Sequence, residues 1–279
     1  SLGMRAFADR TRILRKSMQR WGMMCPRLSR GIPGVLLLSA GLVLARSSMA
    51  QDAEVANLTE GQPLHLDDAE AGHGAQVQGS LRYTRTDDNQ DQYYLSPQLQ
   101  VGFGQYWHYQ IAVPTMAGAA DRTTSGDVQF LLFRQLNTEQ GQRPAFAVAG
   151  EATLPSGVHS AGLDTRLKGI MSKSIGSAPG RDRIHLNADW YHNAGRHPDE
   201  RSHYYGAVLG YSHAWGQSTA LILDFWRQQQ RQIGQTYNLA ELGVRRKVSD
   251  KAVASFAGSA GIAQQSPKFR FAISLEYSL

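Results

Sequence analysis

The last stretch of this 279-residue chain, residues 269–279, constrains the fold more than any other. Phenylalanine, isoleucine, leucine and tyrosine alternate there with polar or small residues, without interruption. A two-residue period over this length predicts a β-strand with one apolar face and one polar face. A strand that faces lipid must have this pattern, and it must belong to a closed barrel, because lipid cannot satisfy an unpaired backbone edge.

The same stretch resembles the C-terminal signal of bacterial outer-membrane barrels, which is read by the barrel-assembly machinery. The resemblance implies that this machinery is a partner of the chain. Leu279 stands where such signals more often end in phenylalanine. The residues expected to form the signal are Phe269, Phe271, Ile273, Leu275, Tyr277 and Leu279.

An apolar run near the start of the chain, residues 34–44, agrees with export. Arg27 and Arg30 precede it, and small residues around Ala50 follow it. A basic stretch, a short apolar run and a small-residue site predict a secretory signal peptide, since the run is too short to span a membrane as a helix. We expect residues 1–50 to be the signal peptide, cleaved after Ala50. It is unusually long, so we expect an over-extended N-terminus, with translation starting at Met18, Met23 or Met24.

Removal of this segment changes the charge of the chain. The whole sequence has 29 Lys and Arg against 23 Asp and Glu, a net charge of +6. Residues 1–50 hold nine of the basic residues and one of the acidic ones, which leaves 20 basic and 22 acidic residues in the remainder. The remainder therefore has no excess of basic residues of the kind that binds nucleic acid. The only cysteine, Cys25, is lost as well, which excludes disulfides and thiol chemistry.

Beyond the signal peptide, the chain divides into two parts. Residues 51–75 are acidic and lack periodicity, and we expect them to form a flexible periplasmic tail. Residues 76–279 contain runs of about ten residues with alternating hydrophobicity, the span of a tilted membrane strand. Their number predicts an all-β fold, a transmembrane antiparallel barrel of about twelve strands. Tight turns at 104–105, 216–217 and 249–250 alternate with longer polar connections, as expected for periplasmic turns and outer loops.

Four stretches resemble a family of bacterial outer-membrane proteins associated with the meta-pathway of phenol degradation. They are GDVQFLLFRQL (126–136), GEATLPSG (150–157), IHLNADWY (184–191) and AELGVRRKVSD (240–250), and the likeness extends over residues 93–279. These motifs are structural rather than catalytic. The resemblance implies an outer-membrane transporter that passes small, often aromatic or apolar, molecules.

Histidines in the middle of the chain raise the alternative of a lipid-modifying barrel enzyme, which would pair a Ser with a His. Ser212 and His213 are adjacent in a predicted strand, so they point to opposite faces and cannot pair with each other. His192, His197 and His203 do not have the spacing of a standard metal site. We therefore expect no catalytic residues, no metal and no cofactor.

Polar residues opposite the apolar stripes are expected to line the lumen. They include charges of both signs, which either pair into a network that fills the barrel or border a pore, and the two roles are compatible. The predicted lumen residues are Arg82, Glu151, Lys168, His185, Asp189, Tyr191, Asp224, Trp226, Glu241, Arg245, Arg270 and Glu276. If the cargo is aromatic, Tyr94 and Tyr204 join Tyr191 and Trp226 along its route.

Together these features favour an outer-membrane channel or transporter for a small molecule, embedded in outer-membrane lipid and lipopolysaccharide. A surface-interaction or structural barrel with a plugged lumen, acting through its outer loops, is the alternative from another class. The lipid-modifying enzyme is the third. The sequence does not identify the cargo.

Overall fold

The computed structural model describes residue 55, residues 57–58, 64–118, 125–158, residue 160, residues 162–178 and residues 180–279. The regular structure in these residues is entirely β-strand. The strands are β1 (Ala75–Arg85), β2 (Asp91–Phe103), β3 (Trp107–Ala112), β4 (Thr115–Gly118), β5 (Val128–Asn137), β6 (Ala145–Leu154), β7 (Asp164–Ile175), β8 (Asp182–Asn193), β9 (His203–Trp215), β10 (Thr219–Gln229), β11 (Thr236–Ser249), β12 (Ala252–Gly261) and β13 (Phe269–Ser278). The predicted signal peptide lies outside the described residues.

The strands form one antiparallel sheet that closes on itself. The strands pair in chain order except at β3 and β4, β3 pairs with β5, and β1 pairs with both β2 and β13. β3 and β4 both pair with β2, β3 near its end and β4 near its start, so they occupy one position in the wall. Pro114, which has no N–H to donate, lies at the break between them. The barrel is therefore twelve strands wide, which confirms the predicted fold.

The outer face of the barrel is apolar and exposed, and the inner face is polar and buried. In β11, for example, Leu242 is 58% exposed while its neighbour Glu241 is 4% exposed. The same alternation runs through Leu209, Leu223 and Phe271, which all point outward. An outward belt of large apolar side chains is stable only against lipid, so this surface belongs in a membrane. Among the described residues, no helix is long and apolar enough to cross a membrane.

The two ends of the barrel differ. The terminal end holds the start of β1, the end of β13 and the tight connections at 104–106, 216–218 and 250–251. Gly104 and Gly216 adopt positive φ angles of 65° and 69° in two of these turns, a conformation that glycine allows at little cost. The loop end holds the longest connections, including 155–163 and 194–202, although 138–144 and 176–181 at the terminal end are also longer than the tight turns.

The expectation of a flexible tail before β1 is wrong for residues 64–74, named here the interior segment. This segment lies inside the barrel, where Asp68 and Ala69 are 0% exposed. Val55 and Leu58, farther upstream, are also buried against the wall. The reason is that side chains and backbone groups of the segment find partners on the inner face, which more than offsets the entropy of ordering it.

Candidate functional site

The interior segment follows the inner wall, and its backbone is hydrogen-bonded to one strand after another. The Asp67 amide donates to the Asn187 side chain in β8 at 2.8 Å. The Gly72 amide donates to Nδ1 of His108 in β3 at 2.9 Å. Between these points, the Ala69 and Ala71 amides donate to Ser172 of β7 and Gln135 of β5. The side chains that accept these bonds are buried, so the segment is fixed along its length.

Ion pairs add to this attachment. Asp67 pairs with Lys168, and Asp68 pairs with Arg183. Arg183 Nη2 also lies 3.1 Å from a carboxylate oxygen of Glu70. Buried carboxylates and cations must be paired to be tolerated, so each side of these contacts holds the other in place.

Apolar contacts fill the space that the polar contacts leave. Leu58, Leu64 and Leu66 form a cluster with wall residues Val208, Ile222, Trp226 and Leu239. Two wall glycines make room for it: a Cβ at Gly210 would lie 2.6 Å from Leu66 Cδ1, and one at Gly243 would lie 2.5 Å from Leu64 Cδ1. The inner wall is therefore shaped to receive the segment.

A cavity of about 380 Å³ lies above the interior segment, in the half of the barrel nearer the loop end. Leu64, His65 and Asp67 form its floor. Its walls come from the loop-end halves of nine strands, which are β1, β2, β3, β5, β6, β7, β8, β10 and β13. The charged and aromatic residues of its walls are Arg82, Tyr94, Glu151, Arg166, Lys168, Tyr191, Trp226 and Arg270.

Charged side chains in the cavity wall fall into two groups. Arg166 pairs with Glu151 at 3.3 Å and with Asp189 at 2.8 Å, so its charge is compensated. Arg82 and Arg270 instead lie over aromatic rings. The guanidinium carbon of Arg82 is 4.4 Å from the centre of the Tyr94 ring, and that of Arg270 is 5.1 Å from the Trp226 ring.

Every predicted lumen residue lies on the inner side of the barrel. Those that line the cavity are Arg82, Glu151, Lys168, Tyr191, Trp226 and Arg270. Those buried elsewhere along the inner wall are His185, Asp189, Asp224, Glu241, Arg245 and Glu276. The aromatic residues Tyr94 and Tyr204 also face inward, and Tyr204 stacks on Tyr191 with ring centroids 4.6 Å apart. Whether these residues contact a cargo stays a prediction.

Much of the inner wall is a paired network. Arg245 makes two hydrogen bonds to Glu276, of 2.8 and 3.2 Å, and donates a third to the Val55 carbonyl. His65 Nδ1 lies 2.6 Å from Glu241 Oε2. Both contacts join the interior segment or the residues before it to β11, so the network and the segment are one structure.

Histidine and serine do meet inside the barrel, but in a different pair from the one considered in the sequence. The ring of His185 lies between Ser172 Oγ at 2.9 Å and Ser212 Oγ at 2.8 Å. His185 and Ser172 are 0% exposed, and Ser172 also accepts the Ala69 amide. Because a hydroxyl contacts each ring nitrogen, no carboxylate of the described residues orients this ring as the third member of a catalytic triad would.

Two histidines lie close together at the loop end of the barrel. His192 Nδ1 and His203 Nδ1 lie 3.3 Å apart, and both rings stack with Trp190 on the outer side of the barrel. Within the part of the chain that the structure describes, no group of three or more His, Cys, Asp or Glu side chains is placed to hold a metal ion.

The proposed assembly signal lies on the outer face of β13 and just after it. Phe269, Phe271, Ile273, Leu275, Tyr277 and Leu279 are all exposed, and the residues between them face inward or are partly buried. Their contact with an assembly machinery stays a prediction.

Sequence reasoning missed Arg166 and the interior segment. Arg166 is the third residue of β7 and lines the cavity. A signal for the interior segment was present in β5, where Leu131 and Phe133 add apolar residues to the face that should be polar. Both are buried against Ala69 and Ala71 of the segment.

Solved structures with the same architecture are outer-membrane barrels. A crystal structure of an outer-membrane channel from Pseudomonas putida F1 aligns with 75% of this chain and 97% of its own, at 14% identity and a TM-score of 0.57. The NanC porin aligns with 74% of this chain and 100% of its own, at 8% identity and a TM-score of 0.54. The KdgM porin aligns with 73% of this chain and 99% of its own, at 7% identity and a TM-score of 0.53.

These likenesses establish the fold of a bacterial outer-membrane barrel, in agreement with the location predicted from the sequence. At such low sequence identity, these likenesses do not indicate which substrate this protein takes. No protein-family model matches the chain, and no curated protein matches it either. The association with phenol degradation is therefore not confirmed.

Proposed function

We propose that the protein is an outer-membrane channel that passes a small molecule through the loop-end cavity and past the interior segment. The observation that carries the proposal is the cavity itself, about 380 Å³, with polar and aromatic walls and a floor made by a segment that is not part of the wall. Polar side chains that line a barrel interior set which solutes enter it.

The resemblance to the phenol-degradation family suggests an aromatic or apolar cargo. Tyr94, Tyr191 and Trp226 in the cavity wall support this choice, since their rings offer flat apolar surface beside charged groups. The solved neighbours are described as a channel and as porins, which supports passive passage rather than catalysis.

A plugged barrel that acts through its loops is the second candidate, and one observation favours it. The interior segment is hydrogen-bonded and ion-paired to the wall from His65 to Gly72, so it obstructs the half of the lumen nearer the terminal end. The two functions differ in whether the segment ever leaves this position.

Single-channel conductance of the refolded full chain in a planar lipid bilayer tests the proposal. The informative variant is Leu66→Asp, because Leu66 is 2% exposed and an unpaired carboxylate there cannot stay buried. His73→Asp is the matched control, since His73 belongs to the same segment but is exposed. We expect small or intermittent steps from the wild type and from the control, and larger and longer steps from Leu66→Asp. A folded barrel that is silent in all three forms would refute the channel and leave the plugged barrel.

A further inference from the structure

Two arginines stand next to each other on the inner wall of the cavity. Arg82 of β1 is paired in register with Ala272 of β13, and Arg270 of β13 is paired with Thr84 of β1. The two arginines are therefore diagonal neighbours on one face of adjacent strands, where long side chains reach each other. Like charges so placed repel each other unless an anion lies between them.

No carboxylate of the described residues forms an ion pair with either arginine. The Nε and Nη1 atoms of Arg270 are buried and have no hydrogen-bond partner among the described residues. The other cations of the cavity differ, because Arg166 pairs with Glu151 and Asp189, and Lys168 pairs with Asp67. Glu241 attracts Arg270 electrostatically, but no carboxylate of the described residues makes direct contact with either guanidinium group.

Aromatic rings hold these guanidinium groups by their faces. Arg82 lies over Tyr94, while Arg270 lies over Trp226 and is 5.9 Å from the centre of the Tyr237 ring. A cation–π contact fixes the plane of a guanidinium but accepts none of its N–H hydrogens. The donor edges remain available to an acceptor that enters the cavity.

A buried guanidinium without an acceptor is costly, and the group that matches its donor geometry best is a planar oxyanion. A carboxylate can accept two parallel N–H bonds from one arginine and further bonds from its neighbour. The cavity lies near the lower end of the usual range of ligand pockets, about 300–1,000 Å³, so the anion must be small.

We propose that Arg82 and Arg270 form a binding site for a small organic carboxylate in the loop-end cavity. This inference rests on the proposed function, for which it names the chemical class of the cargo: an anion whose carboxylate meets the two arginines while its organic part lies toward Tyr94 and Trp226. An alkane offers no acceptor to the buried N–H groups of Arg270, and a neutral phenol offers only one uncharged oxygen, so both are poorer ligands.

Isothermal titration calorimetry of the refolded full chain in detergent micelles tests the site directly. The probes are benzoate and benzamide, which share a ring and nearly the same shape but differ in charge, with inorganic phosphate as a non-carboxylate anion. We expect benzoate to bind at least about tenfold more tightly than benzamide or phosphate, as charge-assisted bidentate bonds imply. Equal binding of benzoate and benzamide, tighter binding of phosphate, or no binding of benzoate would overturn the proposal.

The variant Arg82→Gln/Arg270→Gln assigns the binding to the two arginines. We expect its affinity for benzoate to fall about tenfold or more, while Arg227→Gln leaves the affinity unchanged because Arg227 is exposed on the outer face. Loss of affinity in the Arg227 variant as well, or wild-type affinity in the double variant, would contradict the assignment.

Two controls test whether the double variant is folded and stable. Heat-dependent mobility on a denaturing gel reports whether the double variant forms a barrel. Its melting temperature without ligand should be no lower than that of the wild type, because the substitution removes the repulsion between two neighbouring positive charges inside the barrel. Benzoate should raise the melting temperature of the wild type only. Conductance in potassium chloride does not depend on carboxylate binding, so the failure of this site and the failure of the channel are separate outcomes.

Discussion

The imidazole ring of His65 stacks on the indole ring of Trp226, with ring centroids 4.0 Å apart and 10° between the ring planes. The same imidazole contacts Glu241, so one residue of the interior segment joins β10 and β11. His65 and Trp226 both line the cavity. The position of the interior segment therefore sets the depth of the cavity and the surroundings of its largest aromatic side chain.

Gly210→Val should displace the interior segment without adding charge. A Cβ at this position would lie 2.6 and 2.7 Å from the two terminal carbons of Leu66, so the leucine must move. We expect a larger mean conductance in planar bilayers than that of the wild type. Gly169→Val is the control, because nothing lies within 4 Å of a Cβ there. Equal conductance of the two variants would show that displacing Leu66 does not open the lumen.

Tyr191→Ala/Trp226→Ala should change the flux of aromatic solutes. Both side chains line the cavity, and their removal takes away flat apolar surface along the route. We expect altered entry of an aromatic acid into liposomes that contain the protein, at unchanged entry of a small inorganic ion. Trp215→Ala, at an exposed outer position, should behave as the wild type. Unaltered flux of the aromatic acid would rule out this route.

Leu242→Arg should destabilise the barrel in a lipid bilayer. Leu242 is 58% exposed near the middle of β11, where an outward charge must enter hydrocarbon. The expected loss is about 2–4 kcal/mol in the free energy of unfolding, measured by guanidinium titration in vesicles. Leu136 lies near the end of β5, so Leu136→Arg should lower the free energy of unfolding by only about 0–1 kcal/mol. Losses that do not depend on the position along the strand would contradict the membrane depth assigned here.

Arg245→Met should be among the most damaging changes on the inner wall. Arg245 is 1% exposed and makes a two-bond contact with Glu276, whose carboxylate would remain buried and unpaired. We expect a loss of about 3–5 kcal/mol in the free energy of unfolding, most of which Arg245→Met/Glu276→Leu restores. Arg85→Met, which breaks the exposed pair with Asp91, should have a much smaller effect. A double variant as unstable as the single one would show that the arginine matters through packing instead.

The strand pattern could be predicted from the sequence because lipid imposes a strict demand on one face. Phe271, Ile273 and Leu275 of β13 must all be apolar, and the two-residue period then identifies the inward residues without further information. The break between β3 and β4 was not predicted, although Pro114 marks it.

The interior segment could not be predicted, since its stability depends on distant partners. The Gly72 amide bonds to a residue 36 positions away, and His65 bonds to one 176 positions away. No local period records such contacts, and an acidic stretch without periodicity has the composition of a solvated tail. Leu131 and Phe133 are apolar residues on the inward face of β5, where polar residues are expected. Such residues indicate a buried patch but do not identify the chain segment that covers it.

The seam between β1 and β13 has a kinetic consequence. It pairs Gln76 with Ser278, residues separated by about 200 positions, so the wall cannot be completed until almost every other strand is in place. Because the interior segment leads directly into β1, joining this seam also encloses the segment. Closure of the barrel is therefore expected to be slow. The same final folding step determines whether the interior segment is enclosed in the lumen and obstructs it.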